Sequence, residues 1–216
     1  MTECGAAWDD EYAKKGAIWR GRTHPLPELP AGSAVLELGC GNGKTLSAMM
    51  SRGWRVRGID CSQEAIRLAE ENVRRRTGDV RLAVCDAGNL PFSDSEFDAV
   101  FAFHVIGHAY SSARLAIARE AYRVLRPGGL LFFREFSRGD MRFDPSPPQP
   151  EDGTLRRQSG IICHYFTRGE VLSLFEAAGF RVREACLEGW EMKTGKGEVS
   201  RREEIAAILE KPQPLP

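Results

Sequence analysis

Apolar and polar positions follow one another along most of this chain in a pattern that predicts strands alternating with helices. Short apolar runs that end in glycine or aspartate indicate buried strands, and apolar residues at helical spacing between them indicate amphipathic helices. The predicted strands are 34–38, 55–59, 80–85, 97–103, 130–135, 180–183 and 205–209, and the predicted helices are 6–20, 44–52, 63–76, 113–125 and 167–178. This alternation is typical of an α/β fold with a mostly parallel sheet and helices on both faces.

Two segments depart from this alternation. Residues 137–160 are rich in proline, glycine and charged residues, which predicts a long loop or insertion on the substrate side of the domain. The last two predicted strands have no full helix between them, which indicates an antiparallel hairpin at the end of the sheet. We therefore divide the chain into an N-terminal helix and connector (1–30), one α/β domain (31–211) that includes the insertion, and a flexible tail (212–216).

The overall charge argues against a protein that coats nucleic acid, since 30 basic residues balance 30 acidic ones among 216 residues. No apolar stretch of about 18 residues is present, so the sequence predicts no membrane span. The N-terminus lacks the order of a signal peptide, and the six cysteines are scattered without a Cys-x-x-Cys pair. We expect a cytoplasmic monomer or homodimer with free thiols.

The strongest chemical signal follows the first predicted strand. Glycines between a strand and a helix let backbone amides approach a ligand closely. The third glycine comes one residue too early for the dinucleotide fingerprint, and the P-loop pattern is also absent. The segment consists of Gly39, Cys40, Gly41, Asn42 and Gly43.

An acidic residue lies at or near the end of each of the first three predicted strands. The carboxyl ends of successive parallel strands line one crevice, where ligands bind. Asp60 could accept both hydroxyls of a ribose, and Asp86 with Ala87 could hold an adenine amino edge. Glu37 could reach a cationic amino acid head, directly or through water. Three carboxylates disfavour a pyrophosphate and favour S-adenosylmethionine, a sulfonium that carries an ammonium group.

These features, in order and at matching spacings over roughly residues 34–136, resemble the class I S-adenosylmethionine-dependent methyltransferases of the type 11 kind. The resemblance rests on the glycine segment, Asp60, Cys85-Asp86-Ala87, Phe97-Asp98-Ala99-Val100 and Leu125-Arg126-Pro127-Gly128-Gly129-Leu130. It implies a Rossmann-like seven-stranded sheet whose last strand is antiparallel, and methyl transfer from S-adenosylmethionine. It further implies that His104 lines the methyl-transfer pocket and that Tyr12 and Trp19 lie on a lid helix over the cofactor.

Three histidines could act as a general base if the acceptor must lose a proton: His104, His108 and His164. His104 and His108 are four residues apart, which predicts that they share a helix face. No His-Glu-x-x-His pattern or third ligand accompanies them, so we expect no metal site. The residues expected to bind the cofactor are Tyr12, Trp19, Glu37, Gly39, Cys40, Gly41, Asn42, Gly43, Asp60, Cys61, Asp86, Ala87 and His104.

The acceptor is expected to be a small molecule, and tRNA is the alternative. Residues 164–170, followed by 178–180 and 208–211, are similar to the C-terminal part of wobble-uridine tRNA methyltransferases. Two other hypotheses remain open: a non-catalytic S-adenosylmethionine-binding module and an NAD-dependent enzyme. The intact glycines and Asp60 count against the first, and the glycine spacing and Asp86 count against the second.

Overall fold

The computed structural model describes residues 3–18, 23–193 and 197–214, with only the backbone of residues 3 and 4. Helices and strands alternate along this part of the chain, as the sequence predicts. The described helices are α1 (Glu3–Lys15), α2 (Lys44–Met50), α3 (Gln63–Val73), α4 (Ser111–Val124) and α5 (Arg168–Ala177), with a 3₁₀ helix at Ile106–His108. The described strands are β1 (Ala34–Leu38), β2 (Arg55–Asp60), β3 (Val80–Val84), β4 (Phe97–Phe103), β5 (Leu125–Phe136), β6 (Thr154–Arg156), β7 (Ile162–His164), β8 (Arg181–Lys193) and β9 (Val199–Glu210).

Seven strands form one sheet in the order β3-β2-β1-β4-β5-β9-β8. Strands β1 to β5 pair in parallel, and β9 runs antiparallel to both of its neighbours, β5 and β8. The predicted Rossmann-like sheet with an antiparallel last strand is therefore confirmed. Because β1, β2, β3 and β4 are parallel, they all end at the same edge of the sheet, where the candidate site lies.

The core has an apolar layer on each face of the sheet. On one face Val35 packs with Trp54 and Phe101, and on the other Leu36 packs in a cluster with Phe133. Both faces are covered, which explains why the central strands are apolar almost without interruption. None of the helices described here is both long and apolar enough to cross a bilayer.

Several element boundaries differ from the prediction. Helix α1 ends at Lys15 rather than residue 20, because Gly16 adopts a left-handed conformation (φ 64°). Strands β8 and β9 extend beyond the predicted apolar runs, since the two strands pair with each other where their residues are polar and exposed. The segment 137–160 is not wholly a loop, because it contains β6, which pairs with β7.

Candidate functional site

A cavity of about 550 Å³ lies where the first four strands of the sheet end. Its volume falls within the range of small-molecule and cofactor sites. The residues that line it come from α1, the ends of β1 to β4, the segment after β4, helix α4, and the β6–β7 hairpin. They are Ala7, Trp8, Tyr12, Gly39, Ile59, Asp60, Cys61, Cys85, Asp86, Ala87, His104, Val105, His108, Ala109, Tyr110, Ala113, Ile117, Arg156, Gly160, Ile161 and Ile162.

The glycine turn forms one end of this cavity through Gly39, which has a φ of 63°. A Cβ atom at this position would lie 2.7 Å from Cγ2 of Val105, so the close approach requires glycine. Gly43, also left-handed at φ 79°, begins helix α2 and would bring a Cβ atom within 3.1 Å of Ala69 Cα. The remaining residues of the turn, Cys40, Gly41, Asn42 and Gly43, are not among those that line the cavity.

The Gly39→Ala variant is expected to lose about 2 to 5 kcal/mol of unfolding free energy, from left-handed strain and the clash with Val105. Gly32→Ala is the matched control, because Gly32 is also left-handed (φ 79°) but a Cβ atom there meets nothing within 4 Å. It should lose only about 1 to 2 kcal/mol. Urea unfolding of both variants measures the difference, and equal losses would contradict the steric account.

Asp60 ties the glycine turn to the start of helix α3. Its Oδ2 accepts a hydrogen bond from the Gly41 amide (2.9 Å), and its Oδ1 accepts one from the Ser62 amide (3.0 Å). Burial raises the pKa of this carboxyl, while the two amides act in the opposite direction. Ser62 caps α3 as predicted, by accepting a hydrogen bond from the Ala65 amide. Asp60 therefore lines the cavity in a fixed orientation.

Asp86 and Ala87 line the cavity on the side of β3, as expected from their position after that strand. Oδ1 of Asp86 accepts a hydrogen bond from the Gly88 amide at 2.8 Å. Cys61, which follows Asp60, also lines the cavity. The structure thus brings the polar groups that follow β2 and β3 to one surface.

Glu37 does not share this surface, although the sequence placed it with the other two acids. It is 4% exposed and is not one of the lining residues. No described residue hydrogen-bonds its Oε2. The pKa of Glu37 is raised to about 8, mainly by burial and also by the neighbouring charge of Asp60. A hydrogen bond with Thr45 acts in the opposite direction. Glu37 is therefore a buried acid behind the glycine turn, with one carboxyl oxygen that no described residue hydrogen-bonds.

Helix α1 covers the cavity and is held there by polar and apolar contacts. Oδ1 of Asp9 accepts hydrogen bonds from the Ser62 hydroxyl (2.6 Å) and the Glu64 amide (3.0 Å), at the first turn of α3. Trp8 and Tyr12 pack in one apolar cluster with Ile161, on the loop between β6 and β7. Trp8 was not among the predicted site residues, although its spacing of four from Tyr12 indicates that the two share a helix face. Trp19 lies outside the described residues.

The prediction that His104 and His108 share a helix face is wrong. His104 has a left-handed backbone (φ 55°) and precedes the 3₁₀ helix that His108 ends. Both nevertheless line the cavity. His164, in β7, is 2% exposed and does not line the cavity. Its Nδ1 lies 2.8 Å from the Thr154 hydroxyl oxygen.

The orientation of His108 fixes which ring nitrogen carries its proton. Nδ1 lies 2.7 Å from the Ile162 carbonyl oxygen, which can only accept a hydrogen bond. Nδ1 therefore carries the hydrogen in the neutral ring, and Nε2 carries the lone pair. The edge of the Trp8 ring packs against the His108 ring at 4.8 Å between centroids. A basic nitrogen thus belongs to the same cavity as Asp60 and Asp86.

Comparison with known proteins relates this arrangement to one family. Residues 36–133 match the family model described as a methyltransferase domain. The chain is 34% identical over 190 residues to the 27-O-demethylrifamycin SV methyltransferase of Amycolatopsis mediterranei (strain S699), covering 84% of this chain and 64% of the relative. It is 28% identical over 212 residues to the tRNA N(3)-methylcytidine methyltransferase Mettl2 of Drosophila melanogaster, covering 87% and 65%. The chain thus spans just under two thirds of the length of these two curated relatives.

A solved structure agrees with these matches over most of the chain. The crystal structure of a SAM-dependent methyltransferase from Methanosarcina mazei superposes with a TM-score of 0.71 at 28% sequence identity, covering 86% of this chain and 95% of that chain. The family model, the relatives and the solved structure agree with the motifs from which the resemblance was drawn. Residues 36–133 thus form a methyltransferase domain, and most of the chain is similar to S-adenosylmethionine-dependent methyltransferases.

Proposed function

We propose that the cavity binds S-adenosylmethionine and a small-molecule acceptor side by side, and that the chain transfers the methyl group between them. The residues present suit the cofactor. Gly39, at the start of the glycine turn, lines the cavity beside Asp60, whose carboxylate would bind the ribose. Asp86 and Ala87 present polar atoms for the adenine. Oε2 of Glu37 is buried and receives no hydrogen bond from a described residue. It would supply a negative charge for the ammonium group, directly or through water, once that group displaces the proton that burial holds on this carboxyl.

When bound, S-adenosylmethionine supplies a methyl group already activated by its sulfonium, so the protein has to align and desolvate the acceptor, and to deprotonate it only where the acceptor must lose a proton. Alignment and exclusion of water would come from α1, through Trp8 and Tyr12, and from Ile161 opposite them. His108 would accept the acceptor's proton at Nε2, because its Nδ1 hydrogen is donated to the Ile162 carbonyl. His164 has no part in this proposal, since it lies outside the cavity lining.

The observation that favours a small-molecule acceptor is the partial cover over the cavity. Helix α1 and the β6–β7 hairpin meet over it through Trp8, Tyr12 and Ile161. The hairpin also contributes Arg156, which donates a hydrogen bond to the Tyr110 hydroxyl at 3.1 Å. A covered cavity of this size suits a molecule that enters whole better than a base on a long polyanion. In this proposal the segment 137–160 shapes the acceptor side.

A tRNA acceptor is the second candidate, and the similarity to the Drosophila melanogaster enzyme over 87% of this chain favours it. The formal net charge of zero counts against it, since nucleic acid binding draws mainly on contacts of basic side chains with phosphates. A tRNA methyltransferase with this surface would need a partner or a further segment to hold the RNA.

Calorimetric titration with S-adenosylmethionine, S-adenosylhomocysteine and NAD tests the cofactor. We expect saturable binding of the first two at a one-to-one ratio and no heat from NAD, because the glycine turn lacks the dinucleotide spacing. Binding of NAD alone would contradict the proposal.

Transfer of a labelled methyl group tests the acceptor. The protein and labelled S-adenosylmethionine are incubated separately with a small-molecule extract and with total tRNA. Label in the small-molecule fraction supports the proposal, and label in tRNA moves the second candidate to first place. Binding of the cofactor without transfer to any fraction, proteins included, favours a non-catalytic binding module.

A further inference from the structure

Three side chains that commonly bind metal ions meet beside the cavity, although they are far apart in sequence. They are His24 in the connector before β1, His104 after β4, and Glu204 in β9. One ligand atom from each lies within 4.8 Å of the other two. His104 also lines the cavity, so the cluster borders the proposed acceptor site.

The distances within the cluster are close to those of a three-ligand metal site. Nε2 of His104 lies 3.3 Å from Oε1 of Glu204, and Nε2 of His24 lies 3.9 Å from Oε2 of the same carboxylate. Imidazole nitrogens and carboxylate oxygens bind Zn²⁺ at roughly 2.0–2.2 Å, which places two ligands of a tetrahedral ion roughly 3.4 Å apart. The separation between ligand atoms reaches as much as 4.8 Å, about 1.4 Å more than this spacing, so binding would draw His24 inwards from the half-exposed connector.

A buried atom without a partner is the second, independent sign of a ligand. Nδ1 of His104 is buried, forms no hydrogen bond within the described residues, and lies 3.9 Å from Oε2 of Glu135. If Nε2 binds an ion, the ring hydrogen moves to Nδ1 and points towards that carboxylate. A metal-bound histidine characteristically donates its other N–H to a carboxylate in this way.

Carboxylates lie on two sides of the cluster. Arg134 binds both oxygens of Glu188 at 2.5 and 3.2 Å, and it lies 3.2 Å from Oε2 of Glu204. It therefore shares its positive charge between two carboxylates, and Oε1 of Glu204 faces His104 instead. Glu135, on the other side of His104, accepts a hydrogen bond from the Gly107 amide at 2.8 Å.

We propose that His24, His104 and Glu204 bind one Zn²⁺ ion, with a fourth position open beside the cavity. Two imidazoles and one carboxylate form a ligand set typical of zinc sites that keep an open position, whereas Mg²⁺ and Ca²⁺ prefer sites built from oxygen alone. Glu135 and Arg134 act as the residues that orient the ligands. Zinc binding is independent of the proposed methyl transfer. If the ion also holds an acceptor oxygen at its open position, that role would depend on the proposed methyl transfer.

Competition of the metal-stripped full chain with a chromophoric zinc chelator tests the site. We expect one Zn²⁺ per chain and an affinity that falls about 100-fold or more in His24→Ala and in Glu204→Gln, since each removes one of three ligands. Glu135→Gln should weaken binding about tenfold through the orientation of His104. His108→Asn is the matched control, because it removes a cavity histidine outside the cluster and should leave the zinc affinity unchanged.

His24→Ala is the decisive variant, because its connector position makes loss of folding improbable, and its melting temperature without metal verifies this. Absence of saturable zinc binding by the unmodified chain would overturn the site, as would an unchanged affinity in His24→Ala. Cobalt substitution supplies a second readout. A strong near-ultraviolet thiolate band would place the ion on cysteines and overturn the assignment, whereas visible bands without it support nitrogen and oxygen ligands. Cofactor titration of the same samples separates this result from that of the proposed function.

Discussion

Replacing Asp60 by alanine is expected to weaken binding of S-adenosylmethionine and S-adenosylhomocysteine by about 100-fold. The carboxylate fixes the Gly41 and Ser62 amides and would also accept the ribose hydroxyls, and hydrogen bonds to a charged group contribute about 1.5–3 kcal/mol each. A loss of about 2.8 kcal/mol corresponds to a hundredfold change in the dissociation constant. Titration calorimetry with both ligands measures it.

Asp79→Ala is the matched control for Asp60→Ala. Asp79 precedes β3, at the edge of the sheet opposite the cavity, and pairs with Arg57 on the surface. Its removal deletes the same charge without touching the cavity, so cofactor affinity should stay the same. Asp60→Asn retains an oxygen acceptor and the side-chain shape, and an intermediate loss is expected. If Asp60→Ala binds both ligands as tightly as the unmodified chain, the ribose assignment is wrong.

Replacing Glu37 by glutamine is expected to change how stability depends on pH. The pKa of Glu37 is about 8 in the folded chain against an ordinary 4.5, so between these values the folded state keeps a proton that the unfolded state releases. The contribution of this bound proton to the unfolding free energy is fully present below pH 4.5 and is lost as pH rises towards 8. Glutamine has no such proton. As pH rises from about 5 to about 8, the unfolding free energy of Glu37→Gln should therefore increase by on the order of 3 to 5 kcal/mol relative to that of the unmodified chain.

Urea unfolding of both proteins at several pH values across this window measures the difference, in which the contributions of all other titrating groups cancel. Parallel curves would show that Glu37 titrates normally. The cofactor supplies a second test, because an ammonium group near Glu37 should drive off its proton. Binding at neutral pH should then release a proton in the unmodified chain and not in Glu37→Gln, which calorimetry detects as an enthalpy that depends on the ionisation heat of the buffer.

Local signals explain why so much of the fold could be predicted. The apolar runs before Gly39, Asp60 and Asp86 all form strands where the pattern predicts them. The first two are largely buried, whereas the third is the edge strand β3, whose residues are exposed or half-buried. The prediction failed where local signals mislead. A spacing of four places His104 and His108 on one face only within a helix, and the left-handed backbone of His104 interrupts that spacing.

The site was predictable to the extent that it follows strand ends. Asp60, Cys61, Asp86 and Ala87 line the cavity because β2 and β3 are parallel neighbours that end at one edge. Glu37 was assigned by the same reasoning, but it lies within β1 rather than after it, and its side chain is enclosed. Sequence position gives the strand and the edge, whereas the direction and burial of a side chain depend on what packs against it.

The sequence by itself determined the alternating α/β order, the glycine turn, the two acids on the cavity and the resemblance to methyltransferases, because each depends on neighbouring residues. The tertiary structure alone decided the enclosure of Glu37, the meeting of Trp8 with Ile161, and the cluster of His24, His104 and Glu204. Strand β9 inserts between β5 and β8, which sets Glu204 opposite Phe136 on one side and Glu188 on the other. These contacts join residues distant along the chain, and strand order and register, which no local pattern encodes, bring them together.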